Sequence, residues 1–201
     1  TGSIGFTVRG LSAPDSLTVQ LTGSAINVLP GSQRLVNVSG DGSYTFSASV
    51  PVGSTFAVSL SALPANHTCT VANGSGTFAL PGVNNIRVDC QRNTYTVGGT
   101  IGLLAGERAV IGLYDQGENP IGSVEVSRPP SNSTSGGTVL VPFTFSERVN
   151  DGFSFFVTVL ERPPGDPQLD PKNCNANNWS GTVAGADINN IAITCSYSFG
   201  P

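Results

Sequence analysis

Three groups of residues in this chain have the type and spacing to do chemistry. The first is His67, the chain's single histidine. A histidine base needs a Ser or Cys nucleophile brought within hydrogen-bond reach. His67 stands two residues before Cys69 in a polar stretch, and reads as a solvated turn residue instead of a base. The second group is the carboxylate pair Asp166 and Asp170, inside the proline-rich stretch 163–171. A cation such as Ca²⁺ takes several oxygen ligands, often from loops with Asp, Asn and carbonyls. Two carboxylates without a dense Asp/Asn pattern fall short of that. Both are read as solvated loop residues, and no metal or other cofactor is expected. The third group is Trp179 with Asn175, Asn177 and Asn178. An exposed aromatic can stack on a sugar ring or anchor a protein partner. The flanking amides supply donors and acceptors beside it. Alternatively, Trp179 packs over neighbouring loops, and the sequence leaves both readings open. None of these groups makes a convincing catalytic constellation, so the expectation is a protein that is not an enzyme.

The cysteines lead to the elements that must carry these residues. Cys69 and Cys90 lie 21 positions apart, and so do Cys174 and Cys195. The two intervening segments align without a gap, with ten identities in 22 positions, so the chain contains itself twice. In that alignment Trp179 matches Gly74, so the repeated unit does not require an aromatic there. Ile86, Val88 and Cys90 share strand parity, as do Ile191, Ile193 and Cys195, which turns each second cysteine toward the same apolar face. The simplest pairing is one disulfide within each copy, Cys69 with Cys90 and Cys174 with Cys195. Free thiols or a metal site are the alternatives. The metal reading is weak, because there is no C-x-x-C spacing and only one histidine.

Upstream, Tyr44-Thr-Phe-Ser47 matches Phe143-Thr-Phe-Ser146 at an offset of 99, six short of the cysteine loops. Copy two therefore carries six added residues, placed in 163–171. Phe6-Thr-Val8 matches Tyr95-Thr-Val97 at an offset of 89, which implies about ten more, placed in 128–137. Runs of four to eight residues alternate apolar and polar positions, as in Leu17, Val19 and Leu21 or Phe56, Val58 and Leu60. Gly, Pro, Asn or Asp bound each run, which is the strand signature. In copy two the runs fall at 95–101, 107–114, 121–126, 139–147, 153–160, 179–184 and 188–195. About seven short strands per copy, and no capped helical periodicity, predict an all-β chain of two tandem Ig-like antiparallel β-sandwiches, each with one internal disulfide. The domains are expected at 1–91 and 92–201. The join Cys90-Gln-Arg-Asn-Thr-Tyr95 is short and lacks a Gly/Ser tract, so a stiff end-to-end rod is expected.

Composition excludes two partner classes. One lysine and scattered arginines give no basic footprint for nucleic acid. No apolar run is long enough for a membrane helix, so no membrane insertion is expected in this segment. Gly and Pro number 25 and 14, as suits short strands and tight turns. The absence of methionine marks a processed protein or an excised fragment, expected to be monomeric, and a removed leader or omitted anchor would leave no trace here. Asn-x-Ser/Thr sequons at Asn37, Asn66, Asn73, Asn132 and Asn178 are read as chance products of a Ser/Thr/Asn-rich sequence.

The opening Tyr95-Thr-Val-Gly-Gly-Thr-Ile-Gly-Leu103, the middle Gly42-Ser-Tyr-Thr-Phe46, and the closing Asn84-Asn-Ile-Arg-Val-Asp-Cys90 resemble the cysteine-closed Ig-like tandem repeats of bacterial envelope proteins, including lipoproteins and surface adhesins. The resemblance covers nearly the whole chain, and its motifs are structural. It implies a secreted, periplasmic or outer-surface location, with a lipid anchor open for the full-length protein. The expected function is adhesion, with an unidentified protein or glycan as partner, and a rigid spacer is the alternative. A binding module should carry a clustered aromatic or apolar patch, on copy two in particular, whereas a spacer should be evenly polar.

Overall fold

A computed structural model describes residues 1–26, 34–130, 137–163 and 173–196. The chain divides into two compact units, Thr1–Asn93 and Thr94–Pro201. Unit one runs β1 (Ile4–Arg9), β2 (Leu17–Gly23), β3 (Leu35–Val38), β4 (Gly42–Thr45), β5 (Thr55–Ala62), β6 (His67–Ala72), β7 (Ser75–Thr77) and β8 (Val83–Arg92). These form two four-stranded sheets, ordered β4-β1-β8-β6 and β3-β2-β5-β7. Alternation decides which side of each strand is buried. Ile4, Phe6 and Val8 of β1 face Leu17, Val19 and Leu21 of β2 across one core, with Val58, Ile86 and Val88 among them. Burying each such side chain contributes roughly 1.5–3 kcal/mol.

Unit two repeats the plan. It runs β9 (Thr94–Tyr95), β10 (Val97–Leu103), β11 (Arg108–Asp115), β12 (Pro120–Ser127), β13 (Val139–Thr144), β14 (Val149–Asn150), β15 (Ser154–Glu161), β16 (Asn173–Asn177), β17 (Ser180–Thr182) and β18 (Ile188–Ser196). Its sheets are β13-β10-β18-β16 and β12-β11-β15-β17, with β9 and β14 as a small extra pair. The core is built from Ile101, Ile111, Leu113, Phe155, Val157 and Ile191 with their neighbours. Both units are thus Ig-like β-sandwiches, and among the described residues there is no helix. Pairing is antiparallel except that the first long strand of each unit lies parallel to its last, β1 along β8 and β10 along β18.

Two sequence expectations need correction. The first is the offset of 89 at the start of the repeat. Phe6 lies opposite Ile86, and Gly99 lies opposite Ile191, the partner of Ile86 in copy two. The offset is therefore 93. The hydrogen bonds agree, since Phe46 and Phe145 donate to the carbonyls of Ile4 and Val97. A short Phe/Tyr-Thr-Val likeness had outweighed register. The offset then falls to 88 at β12, where Val124 replaces Val36, and rises to 99 at β13, where Phe143 replaces Tyr44. Copy two thus gains eleven residues between β12 and β13, in the stretch assigned to insertion, of which 131–136 lie outside the described residues. The six-residue insertion and its Asp166 and Asp170 also lie outside them. The second correction is β16, a strand where apolar alternation predicts none. Its inward residues are only Cys174 and Ala176, and Asn at 173, 175 and 177 gives it the composition of a loop.

Both disulfides are present, Cys69–Cys90 and Cys174–Cys195, and there is no free cysteine. Each joins directly opposed residues of neighbouring strands, with Cα atoms 4.0 Å apart. In each unit the bridge ties an edge strand, β6 or β16, to β8 or β18. The closed loop between the cysteines also crosses to the other sheet as β7 or β17 before returning. One covalent ring therefore holds both sheets. The cysteines are partly buried and pack against the core, so parity placed them on the correct side but at its margin.

Candidate functional site

Register builds the site. On β11 the inward residues are Ala109, Ile111 and Leu113, so Tyr114 points outward. On β15 Phe155 and Val157 are inward, so Phe156 points outward. Tyr114 and Phe156 are directly opposed across the ladder, and their rings stack at 5.2 Å with an interplanar angle of 13°. Trp179 arrives from the β16–β17 turn and meets Phe156 edge-on, at 6.2 Å and 77°. Such ring pairs each add about 0.5–1.5 kcal/mol beyond the area they bury. The indole nevertheless stays 51% exposed, and Leu160, on the same strand as Phe156, stays 48% exposed. Gly112 is the floor beneath them, since a Cβ there would meet Tyr114 Cε2 at 2.7 Å and Leu160 Cδ1 at 3.0 Å.

Unit one carries no such patch at the equivalent positions. Register equates Tyr114 with Thr22 and Phe156 with Ala57, which oppose each other on β2 and β5. Trp179 replaces Gly74 and Leu160 replaces Ser61. A further exchange makes room for the indole. In unit one a Cβ on Gly74 would lie 2.7 Å from Val71 Cγ1. Unit two has the smaller Ala176 in place of Val71. The two sandwiches share a scaffold and differ on this outward face.

The Trp179 turn is itself conserved between copies. Asn73 and Asn178 both adopt left-handed backbone, φ 57° and 56°. Each side-chain amide donates across the turn, Asn73 to the Asn85 carbonyl and Asn178 to the Asn190 carbonyl, both at 3.1 Å. The Trp179 carbonyl accepts from the Val157 amide at 2.6 Å, as that of Gly74 does from Val58. Asn178 therefore holds the turn in shape with its amide already engaged.

Trp179 borders two clefts. One, of about 300 Å³, is lined by Gln116, Glu118, Phe156, Trp179 and Ser180. The other, of about 270 Å³, runs between the β15 edge and β16, beside Thr158, Asn175 and Trp179. The β11–β12 turn that presents Gln116 and Glu118 is held by Asp115. Its Oδ1 accepts from the backbone amides of Gly117 and Asn119 at 2.8 and 2.9 Å, and its Oδ2 from the Asn119 side chain at 2.9 Å. The Asn119 side chain, then its backbone amide, lowers the Asp115 pKa from its ordinary value. Of the four residues singled out by sequence, Trp179 and Asn175 share a cleft, Asn178 shapes the turn, and Asn177 lines neither cleft. Tyr114 and Phe156 were missed, because only strand register shows that they replace Thr22 and Ala57.

His67 requires a correction. It is 7% exposed instead of solvated. Its Nδ1 lies 2.9 Å from Asn66 Oδ1 and 3.8 Å from Asp15 Oδ2. Asn66 and Arg92 both donate to the Asp15 carboxylate, at 3.2 Å and 3.0 Å. The cluster pins the β1–β2 loop to the ends of β6 and β8. Asp15 leads the loop inward, and that contact was not legible from the position of His67 beside a turn. Among the described residues no group of three or more His, Cys, Asp or Glu could hold a metal ion.

No protein-family model and no curated protein matches the sequence. Solved structures do. The Bacillus anthracis TIE protein matches with a TM-score of 0.50 at 8% identity, covering 97% of this chain and 34% of its own. The C-terminal fragment of pilus adhesin SpaC from Lactobacillus rhamnosus GG has a TM-score of 0.40 at 10% identity, with 99% of each chain covered. The major pilin protein T-13 from Streptococcus pyogenes has a TM-score of 0.39 at 8% identity, with 98% of this chain and 97% of that one covered. The likeness is one of fold. This chain spans about a third of the TIE protein's length.

Proposed function

We propose that this chain is a non-catalytic module of a bacterial surface protein, and that its second unit binds the target through the face of Tyr114, Phe156 and Trp179. The observation that carries the reading is the difference between copies. One scaffold bears Thr22, Ala57 and Gly74 in unit one and three aromatic rings at the same places in unit two. The fold does not need the rings, and an exposed aromatic cluster on a rigid sheet supports recognition. The disulfides fit an oxidising, extracytoplasmic location. Among the described residues no helix is long and apolar enough to cross a membrane. Unit one, with Thr22, Ala57, Gly74 and Ser61 where unit two has its rings and Leu160, supports the structural share of the work.

The test is attachment. Beads coated with the chain are applied to epithelial and bacterial cell layers, beside beads carrying Tyr114→Thr/Phe156→Ala/Trp179→Gly, which gives unit two the unit-one face. Attachment should fall at least tenfold. Equal attachment by the folded variant would remove this face from the function.

A further inference from the structure

We infer that the ligand of this face is a neutral oligosaccharide that lies across the Trp179 indole, with one sugar ring in each flanking cleft. The inference rests on the binding reading above and names its ligand class. Trp179 lines both clefts, of about 300 and 270 Å³, so a ligand that fills both must pass over the indole. The negative face of an aromatic ring attracts polarised C–H groups, which a pyranose presents along its apolar side. Polar groups flank the rings on both sides. Gln116, Glu118 and Ser180 border one cleft, and Thr158 and Asn175 border the other. Amide, hydroxyl and carboxylate groups together match vicinal sugar hydroxyls, which both donate and accept.

Charge selects among ligands. Among the described residues no lysine or arginine lines either cleft. The cation on the same sheet face, Arg108, is held between Glu125 and Glu161, each at 3.3 Å. Among the described residues that line the clefts, a sulfated, phosphorylated or sialylated chain would meet Glu118 and no cation. An apolar protein surface fits less well, because it would bury the Glu118 carboxylate without donors, at a desolvation cost. Sugar hydroxyls supply those donors. Neutral hexose or N-acetylhexosamine chains satisfy both the rings and the rim.

Trp179 is the only tryptophan, so its emission reports on the site directly. The chain is titrated with neutral gluco-, galacto-, manno- and N-acetylglucosamine oligomers of one to four units, and with sulfated and sialylated chains. The expected result is a saturable shift in Trp179 emission with at least one neutral series. Affinity should rise at least tenfold from the monosaccharide to the disaccharide and fall at least tenfold in Phe156→Ala. Anionic counterparts should bind at least tenfold more weakly. Response to anionic chains alone, or to no sugar, overturns the inference. Bead attachment separates the failures. If attachment depends on the face but no neutral oligosaccharide competes with it, the ligand is a protein or an anionic glycan and only the neutral-glycan assignment falls. If attachment ignores the face, both readings fall.

Discussion

Removing the bridge of unit two by Cys174→Ala/Cys195→Ala gives a stability loss that can be worked out in advance. The cysteines close a loop with a separation of 21 residues. Loop-closure entropy for a ring of that size is about 3 kcal/mol at 25 °C. Little packing is lost besides, because both cysteines sit at the margin of the core. Strand β16 is at the sheet edge and pairs only with β18. Without the bridge it keeps its ladder and two small inward side chains. For a unit of this size about 3 kcal/mol corresponds to a fall in Tm of roughly 12–24 °C. The assay is urea unfolding followed by Trp179 emission, which reads unit two alone because the tryptophan lies there. The midpoint should fall by about 1–3 M, with a somewhat steeper slope because the unlinked unfolded chain exposes more surface. Cys69→Ala/Cys90→Ala should leave that midpoint in place and lower a separate, tryptophan-silent transition seen by circular dichroism. A loss under about 1 kcal/mol in unit two, or an equal shift of the Trp179 transition by the unit-one mutant, would refute the assignment of one independent staple to each unit.

Three further outcomes follow from particular contacts. The variant Tyr114→Thr/Phe156→Ala/Trp179→Gly should stay folded, because unit one folds with those residues, and lose about 1–3 kcal/mol with the two ring pairs in addition to the area the rings bury; thermal melting checks this, and global unfolding would make the rings part of the core. Gly99→Ala should destabilise unit two by about 1–3 kcal/mol, because a Cβ there would lie 2.0 Å from the Ile191 carbonyl oxygen; an unchanged urea midpoint would contradict the close approach of β10 and β18. Asp187 accepts a hydrogen bond from the Thr96 amide at 2.7 Å, chiefly this backbone bond, and its carboxyl titrates below the ordinary 3.8. A lowered folded pKa stabilises the fold above the unfolded value and is lost as pH falls through the folded one. Unit two should therefore weaken in acid below about pH 4, and Asp187→Asn should flatten that loss; a Thr96 amide resonance titrating at or above 3.8 would contradict the bond.

Most of the scaffold was legible in the sequence, since alternation and cysteine spacing are backbone-level signals. Leu17, Val19 and Leu21 face inward because a strand alternates sides, whatever else surrounds them. The pairing of Cys69 with Cys90 was legible because the same spacing recurs at Cys174 and Cys195. The errors arose where a local likeness competed with register. Phe6 and Tyr95 look alike, yet Phe6 corresponds to Gly99, since parallel pairing with β8 and β18 sets the alignment. Strand β16 is rich in Asn and was hidden by composition. Trp179 was visible as an oddity against Gly74. Tyr114 and Phe156 were not, because they converge only when β11 and β15 pair and no sequence interval joins them. The exchange of Val71 for Ala176 became meaningful only beside Gly74 and Trp179.

The central claim is that binding resides on the outward face of unit two and not on the matching face of unit one. Its most direct measurement is attachment by two variants assayed together, Tyr114→Thr/Phe156→Ala/Trp179→Gly in unit two and Gln20→Ala/Thr22→Ala in unit one. The account predicts at least a tenfold loss for the first, about 1.4 kcal/mol, and unchanged attachment for the second. A loss of similar size in both, or a loss confined to the unit-one variant, would contradict it.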